Sequence, residues 1–228
     1  MIIPALDERD AIGGVVADVL RTAVASVIVV DNGSSDDTAE VARRAGADVV
    51  AEPLRGYGAA CLAGLHALTT RTVARADDVI VFIDGDGSDA ADEIPALVRA
   101  ILDGEADLVV GARRPSETGA LAPTQRVGNA IAAVWLRLRV GLRASDLGPF
   151  RAIRRSSLDR LGMTDRGYGW TVEMQIKAAR AGLRYREVRV PYRRRQGGRS
   201  KISGSIRGSL AAGATIIGLL VRHGMRPG

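Results

Sequence analysis

Two stretches of this sequence run from apolar residues straight into closely spaced carboxylates. The first reads Val79-Ile80-Val81-Phe82-Ile83-Asp84-Gly85-Asp86-Gly87-Ser88-Asp89. Ligands of open α/β sheets gather at the carboxyl ends of strands, so a buried strand ending here would present a site. Side chains at i and i+2 of an extended chain project to one side, which lets Asp84 and Asp86 approach one ion. Their oxygens, with no His or Cys beside them, suit Mg²⁺ or Mn²⁺, ions that complete their shells with water and substrate phosphates. Gly85 and Gly87 are expected to leave room for a bulky ligand, and Asp89 and Asp92 only to cap the next helix. The second stretch, Val27-Ile28-Val29-Val30-Asp31-Asn32-Gly33-Ser34-Ser35-Asp36, ends beside a helix start. Asp31 can accept from a nucleobase N–H or a ribose hydroxyl, and Gly33 and Ser34 let the backbone turn tightly. Two such strand ends side by side make a nucleotide-sized crevice.

The charges divide along the chain. Residues 1–110 hold 8 basic and 20 acidic side chains, and residues 111–228 hold 24 basic and 6 acidic. An acidic cation site facing a basic anion site would produce that split. Only Lys177 and Lys201 are lysines, so anion contacts fall to the planar arginine fork. Arginines cluster at Arg113-Arg114, at Arg151 after Asp146-Leu147-Gly148-Pro149-Phe150, and at Arg193 to Lys201. Arg194 and Arg195 read as a solvated charge run, whereas Arg199 and Lys201 follow a glycine pair that lets the backbone close over a ligand. Trp170 and Glu173 share a helix face at i and i+3, where Trp170 is either core or an acceptor contact and Glu173 either pairs with Lys177 or meets an acceptor. Two motifs are decoys. Arg55-Gly56-Tyr57-Gly58 starts like a dinucleotide fingerprint but lacks the third glycine and the preceding strand. Asp84-Gly85-Asp86-Gly87-Ser88 is similar to a phosphatase nucleophile motif, yet no later acidic pair supports it.

Positioning these residues requires a sheet. Short apolar runs predict strands at 2–5, 27–31, 48–51, 79–84 and 108–111, alternating with helices from Asp10 as N-cap, at 37–45, at 58–68 and at 94–102. Helices are further expected at 127–138 and 170–181, with a strand at 185–192 and an unassigned apolar segment at 150–153. The expectation is a single α/β unit over 1–228, with a mainly parallel central sheet flanked by helices. Composition agrees: 228 residues, 46% hydrophobic and 25% charged, are globular. The lone Cys61 can form no internal disulfide. The first ten residues lack a basic stretch followed by an apolar run, so the expected location is cytoplasmic. Residues 210–221 are apolar but shorter than the ~20 residues of a membrane span. The segment 205–228 is expected to be a helix meeting the core, a second copy in a homodimer, or the inner face of the membrane.

Taken together, Pro4-Ala5-Leu6-Asp7-Glu8, Asp31-Asn32-Gly33-Ser34-Ser35-Asp36, Asp84-Gly85-Asp86, Gly111-Ala112-Arg113, Ser145 to Arg151 and Gly198-Arg199-Ser200-Lys201 resemble the family 2 glycosyltransferases, more narrowly the polyprenyl (dolichyl) phosphate mannosyl or glucosyl synthase branch. The resemblance implies a glycosyltransferase A-type fold, a divalent metal, and inverting transfer of a hexose from GDP-mannose or UDP-glucose to a polyprenyl phosphate at a membrane surface. It also implies that Pro4, Ala5, Asp7, Glu8, Asp31, Gly33, Ser34, Asp36, Gly56, Asp84, Gly85, Asp86, Arg199 and Lys201 hold the nucleotide-sugar, with the metal on Asp84 and Asp86. Arg113, Arg126, Arg151 and Trp170 would meet the acceptor phosphate. Asp86, Asp146, Glu173 and Arg199 are the candidate catalytic residues, with Asp146 and Glu173 as bases should the acceptor be a hydroxyl. The branch's usual Gln and Pro pair after the aspartates are Ser88 and Ala90-Ala91 here. A transferase using a soluble acceptor is the first alternative. A sugar-1-phosphate nucleotidylyltransferase would need a Gly-rich loop after the first strand, which Pro4-Ala5-Leu6-Asp7-Glu8-Arg9 is not. A nucleic-acid-binding protein would use the basic half, but aromatics are 4%, no binding module is present, and no nucleic acid partner is expected.

Overall fold

A computed structural model of the chain describes residues 1–22, 24–71, 75–117, 120 and 123–197. β1 (Ile2–Ala5), α1 (Arg9–Leu20), β2 (Ile28–Asp31), α2 (Thr38–Arg44), β3 (Asp48–Ala51), α3 (Tyr57–Arg71) and β4 (Val79–Phe82) are followed by α4 (Ile94–Leu102), β5 (Leu108–Pro115) and α5 (Pro123–Val140). β6 (Arg151–Arg154), α6 (Arg155–Leu161), α7 (Trp170–Arg180) and β7 (Tyr185–Tyr192) complete the described residues. Among these residues the strands form one sheet in the order β3-β2-β1-β4-β6-β5-β7. It is parallel except at β6, which runs antiparallel to both β4 and β5. The chain steps outward from β1 to β3 and returns to β4 on the other side of β1, so the strand order reverses between β1 and β4. That reversal opens a crevice at the carboxyl ends.

Strand alternation builds two cores from neighbouring residues. Ile3, Val29, Val81 and Val109 face one layer with Val16 of α1 and Leu97 and Ile101 of α4. Ile2, Ile28, Val30, Ile80, Phe82, Leu108 and Val110 face the other with Cys61 of α3 and Trp170 and Met174 of α7. A smaller cluster of Ala132, Leu136, Leu142, Leu147, Val172 and Ile176 ties α5 to α7.

Several expectations change. Asp10 lies in the first turn of α1, where its charge favours the helix dipole, and Glu8 stands at the N-cap. β4 ends at Phe82, which pairs with Ile2 of β1 and Arg151 of β6, so Asp84 lies past the strand and Asp86 in the turn that follows, not together on one extended strand. The apolar segment at 150–153 is β6, and α6 had no sequence signal beyond Leu158 and Leu161. Arg199, Lys201 and the segment 205–228 lie outside the described residues.

The glycines of the discarded dinucleotide motif have a packing reason. The N–H groups of Gly58 and Ala59, at the start of α3, donate to the carbonyls of Gly167 and Arg166 at 3.0 and 2.9 Å. A Cβ on Gly56 would stand 2.1 Å from the Arg166 carbonyl oxygen, and one on Gly58 would stand 2.0 Å from that of Asp165. Neither backbone can yield without losing these bonds. Gly58→Ala is therefore expected to destabilise the chain by about 1–3 kcal/mol, read as a lower urea midpoint at unchanged slope.

Candidate active site

The loops after β1 and β2 are latched to each other before any ligand arrives. Asp7 has a left-handed backbone, φ +51°, and its carboxylate accepts from the N–H and hydroxyl of Ser35 at 2.7 and 3.0 Å. Its own N–H donates to Ser34 Oγ at 3.0 Å, and the N–H of Glu8 donates to Thr38 Oγ1 at 2.8 Å. Asp31 Oδ1 receives the N–H of Ser34 at 3.1 Å, across the turn that Gly33 makes with φ +80°. Pro4 and Ala5 are buried in the floor. Asp36 is turned to its own helix, accepting from the Thr38 N–H at 3.0 Å, which with the Arg9 N–H and the Thr38 hydroxyl offsets the upward push of burial and lowers its pKa. Asn32 reaches across to Glu52 O, Leu54 O and Gly56 N–H at 3.0, 2.8 and 2.8 Å, so Gly56 is committed to bracing this loop.

Beside this frame stand the carboxylates that follow β4. Asp84 Oδ1 is buried without a hydrogen-bond partner, and so are both oxygens of Asp89. Burial, then the charges of Asp86 and Asp89, push the Asp84 carboxyl well above its ordinary range. Burial pushes Asp89 up to about 7, with Arg113 opposing and Asp86 adding to the rise. Asp86 Oδ1 accepts from the N–H and hydroxyl of Ser88 at 2.9 and 2.5 Å. Asp89 is thus no helix cap. It belongs to the same acidic cluster as Asp84 and Asp86, and its run of small buried neighbours, Gly87, Ser88, Ala90 and Ala91, was the signal for that burial. The orphaned Asp84 oxygen and the neighbouring Asp86 carboxylate offer the all-oxygen chemistry that suits Mg²⁺ or Mn²⁺, although among the described residues no three acidic, His or Cys side chains are gathered closely enough to enclose an ion by themselves.

Gly85 and Gly87 do not leave room for a ligand. A Cβ on Gly85 would meet Ile12, Pro4 and Ala5 at 3.2–3.4 Å, and one on Gly87 would meet the Gln196 side chain at 2.9 Å. Gln196 is there because the chain after β7 crosses this end of the sheet. Arg193 N–H donates to Ser88 O and Gln196 N–H to Asp86 O, at 2.9 and 3.0 Å. Arg195, expected to be solvated, instead hydrogen-bonds Glu8 and stands 3.4 Å from Asp86 Oδ2.

Arg113 connects this cluster to a cavity of about 410 Å³ lined by Ala112, Arg113, Arg126, Asn129, Ser145 and Asp146, among others. Asp146 grips it with two 2.7 Å side-chain bonds and takes its backbone N–H at 2.8 Å. Asp146 also accepts from Asn129 and from the Leu147 N–H, at 2.8 and 2.7 Å. Burial would raise its carboxyl, but the bonds and charge of Arg113 outweigh that and hold it below the ordinary range. Arg113 lies over the Tyr192 ring, 5.2 Å from its centroid. Arg126 is exposed at the cavity rim.

Three expected site residues belong elsewhere. Trp170 is fully buried and meets Phe82 edge to face at 6.1 Å, so its core reading holds and its acceptor reading does not. Arg151 is also fully buried, donating to the carbonyls of Thr171, Leu147 and Gly148, which braces the loop before β6 and leaves it no access to an acceptor. Glu173 accepts from Thr164 N–H and hydroxyl, Asp165 N–H and Lys177, clamping the 164–165 loop to α7. Burial would raise its carboxyl too, yet Lys177 and the Thr164 and Asp165 donors hold it low. Neither Asp146 nor Glu173 keeps an oxygen for a substrate proton.

Comparison with known proteins agrees with this geometry. Residues 1–162 match the profile described as Glycosyl transferase family 2. An uncharacterized glycosyltransferase of Mycobacterium tuberculosis is 44% identical over 212 residues, 93% of each chain. The undecaprenyl-phosphate mannosyltransferase of Micrococcus luteus is 35% identical over 222 residues, 91% of this chain and 89% of its own. Among solved structures, glucosyl-3-phosphoglycerate synthase from Mycobacterium tuberculosis, in complex with Mn²⁺, uridine-diphosphate and glucosyl-3-phosphoglycerate, superposes with a TM-score of 0.76 at 26% identity, covering 100% of this chain and 80% of that one. The expected glycosyltransferase A-type fold is thereby borne out. With most of its length matched by the profile and by transferases of similar span, the chain belongs to glycosyl transferase family 2 and is a glycosyltransferase.

Proposed function

We propose that this glycosyltransferase moves a hexose from a nucleotide-diphosphate sugar to a polyprenyl phosphate, with inversion at the anomeric carbon. The observation that carries this reading is Arg113. It lines the basic cavity, and its charge reaches Asp84 and Asp89 in the acidic cluster. A cation site and an anion site therefore adjoin through one side chain. The mannosyltransferase relative is named for undecaprenyl phosphate, and the structural relative was solved with uridine-diphosphate and Mn²⁺.

In this reading Asp31, Ser34 and the latched loops after β1 and β2 receive the nucleoside. Asp84 and Asp86 would hold Mg²⁺ or Mn²⁺, with substrate phosphates completing its shell, and the ion when bound would supply positive charge for the departing diphosphate. Arg199 and Lys201, outside the described residues, are proposed to close over the same phosphates. The acceptor phosphate enters the cavity of Arg113 and Arg126, where the exposed Arg126 guanidinium bonds two of its oxygens and leaves a third facing the sugar, while Arg113, held by Asp146, contributes fixed positive charge. That oxygen attacks the anomeric carbon from the face opposite the diphosphate. The carbon–oxygen bond to the leaving group breaks, and its electron pair leaves on the nucleoside diphosphate. A phosphate monoester has its second pKa near ~6 and is largely dianionic at neutral pH, so the acceptor needs no protein base. The full engagement of Asp146 and Glu173 favours such an acceptor over a hydroxyl. Asp146 then acts as a positioning residue for Arg113.

Two measurements test the site. Calorimetry with UDP, GDP, UDP-glucose and GDP-mannose, with and without Mn²⁺, is expected to give metal-dependent binding of one nucleotide, abolished in Asp86→Ala. Binding of none of them would refute the donor reading. Incubation of the bound donor with undecaprenyl phosphate then tests the acceptor, and transfer only to a soluble phosphate would overturn it.

The acidic cluster also predicts a pH dependence. The folded chain keeps a proton on Asp89 that the unfolded chain releases from about pH 4 upward, so stability falls as pH rises until the folded group itself ionises near 7. In metal-free buffer, Asp89→Asn is expected to raise the urea midpoint above wild type at about pH 8 and to match it at about pH 4. Equal midpoints throughout would mean that Asp89 is not held neutral.

A further inference from the structure

Arg113 is gripped along one edge and covered on one face. Asp146 Oδ2 takes its Nε and Oδ1 its Nη2, each at 2.7 Å. Two parallel bonds fix a guanidinium within its own plane, but they leave it free to tilt about the line that joins them. Tyr192 bears on that remaining freedom. Its ring lies against the guanidinium, with Arg113 Cζ 5.2 Å from the centroid, inside the ~6 Å over which a flat cation and a ring face attract. Strand register puts it there. Arg113 of β5 pairs with Val190 of β7, and Tyr192, two residues on, projects from the same face of the sheet. The ring is held in turn. Tyr192 is 8% exposed, its carbonyl accepts from the N–H and hydroxyl of Ser116 at 2.9 and 3.0 Å, and its phenol hydrogen-bonds Ser88. Tyr192 is not among the residues that line the cavity, so it meets Arg113 from behind the cavity wall.

We propose that Tyr192 is a positioning residue for this transferase, and that its ring sets the tilt of the Arg113 guanidinium. The proposal rests on the acceptor cavity read above and names the residue that aims its fixed charge. Tilt decides whether Nη1, the corner outside the Asp146 pair, faces the cavity or the carboxylates. Both Asp89 oxygens are buried without a partner, and the charge of Arg113 reaches them. Without the ring, that attraction draws the guanidinium toward Asp89 and away from the cavity. With the ring in place, the charge needs no reorientation as the diphosphate departs. Arg126, exposed at the rim, carries acceptor binding, so loss of the ring is felt in the rate and not in the affinity for acceptor.

The test compares wild type with Tyr192→Leu, which removes the ring, and Tyr192→Phe, which restores it without the hydroxyl. In transfer from the bound donor to undecaprenyl phosphate, Tyr192→Leu is expected to lower kcat about tenfold with acceptor KM within about threefold of wild type, and Tyr192→Phe to recover most of the rate. The second readout uses neither substrate. The Arg113 Nε–H signal in a proton–nitrogen correlation spectrum, assigned by its loss from Arg113→Lys, is expected to carry a ring-current shift in wild type and Tyr192→Phe that Tyr192→Leu lacks. Metal-dependent nucleotide binding shows that each protein is folded, and Tyr192→Met, unbranched and also ringless, takes the place of Tyr192→Leu should that variant fail to bind. An Arg113 signal unmoved in the ringless variant overturns the proposal, and so does a moved signal with unchanged kcat. A loss carried by acceptor KM would make the ring part of the binding wall, and a Tyr192→Phe as slow as Tyr192→Leu would assign the effect to the hydroxyl; either overturns it too. A wild type that transfers nothing to undecaprenyl phosphate refutes the acceptor reading instead, and the Arg113 signal then decides on Tyr192 by itself.

Discussion

The burial of closely spaced carboxylates in one crevice is the constraint around which this protein is organised. Asp84, Asp86 and Asp89 crowd the turn after β4, and Glu8 lies across from them at the start of α1. Burial first, and then the neighbouring carboxylates, disfavour the charged forms, which pushes Asp84 well above the ordinary range and Asp89 up to about 7. Two arginines answer them from opposite sides. Arg113 arrives on β5, neutralised in turn by Asp146, and Arg195 arrives after β7 and bridges Glu8 toward Asp86. The crevice is left short of positive charge at Asp84 and Asp89, whose buried oxygens have no partner.

The sheet order makes this arrangement possible. β6 is inserted antiparallel between β4 and β5, so Arg113 reaches the carboxylates from two strands away. β7 pairs with β5 over eight residues, from Leu108–Tyr185 to Pro115–Tyr192. That long parallel pairing carries the chain past the cavity and lays residues 193–197 over the turn at 86–88. Tyr192 is the corner: its ring receives Arg113, and its backbone meets both Asp89 and Ser116. One register thus sets the acidic cluster, the basic cavity and the strap between them, and a slip by one residue would turn every side chain of β7 to the wrong face.

What was legible in the sequence is what depends on near neighbours. The bounds of β1, β3 and β7 follow from short apolar runs and their flanking polar residues, and the two carboxylate-bearing strand ends follow from the same pattern. The errors concern which partners the fold presents to a side chain, whether near or far in sequence. Trp170, Arg151 and Glu173 sit in motifs that read as functional, but their roles are fixed by Phe82, by the carbonyls of Leu147 and Thr171, and by Thr164. Arg195 read as solvated because its acids, Glu8 and Asp86, lie more than one hundred residues upstream. The glycines misled for a related reason. A glycine before a helix signals close approach of something, and only the fold tells whether that is a phosphate or, as at Gly56 and Gly58, another stretch of backbone.

The pairing of Arg113 with Asp146 bears on how such a site can serve two phosphates. An isolated arginine between an acidic cluster and an anion pocket would be drawn into the carboxylates and lost to the pocket. Bidentate bonding to Asp146, with Asn129 and the Leu147 N–H holding that carboxylate in turn, fixes the guanidinium at the boundary. Its orientation is thus decided during folding and costs nothing at the moment of reaction, which is the condition under which fixed charges stabilise a transition state best. Asn129 belongs to α5, so this helix, which lines the cavity, also holds the brace of the arginine that joins the cavity to the carboxylates.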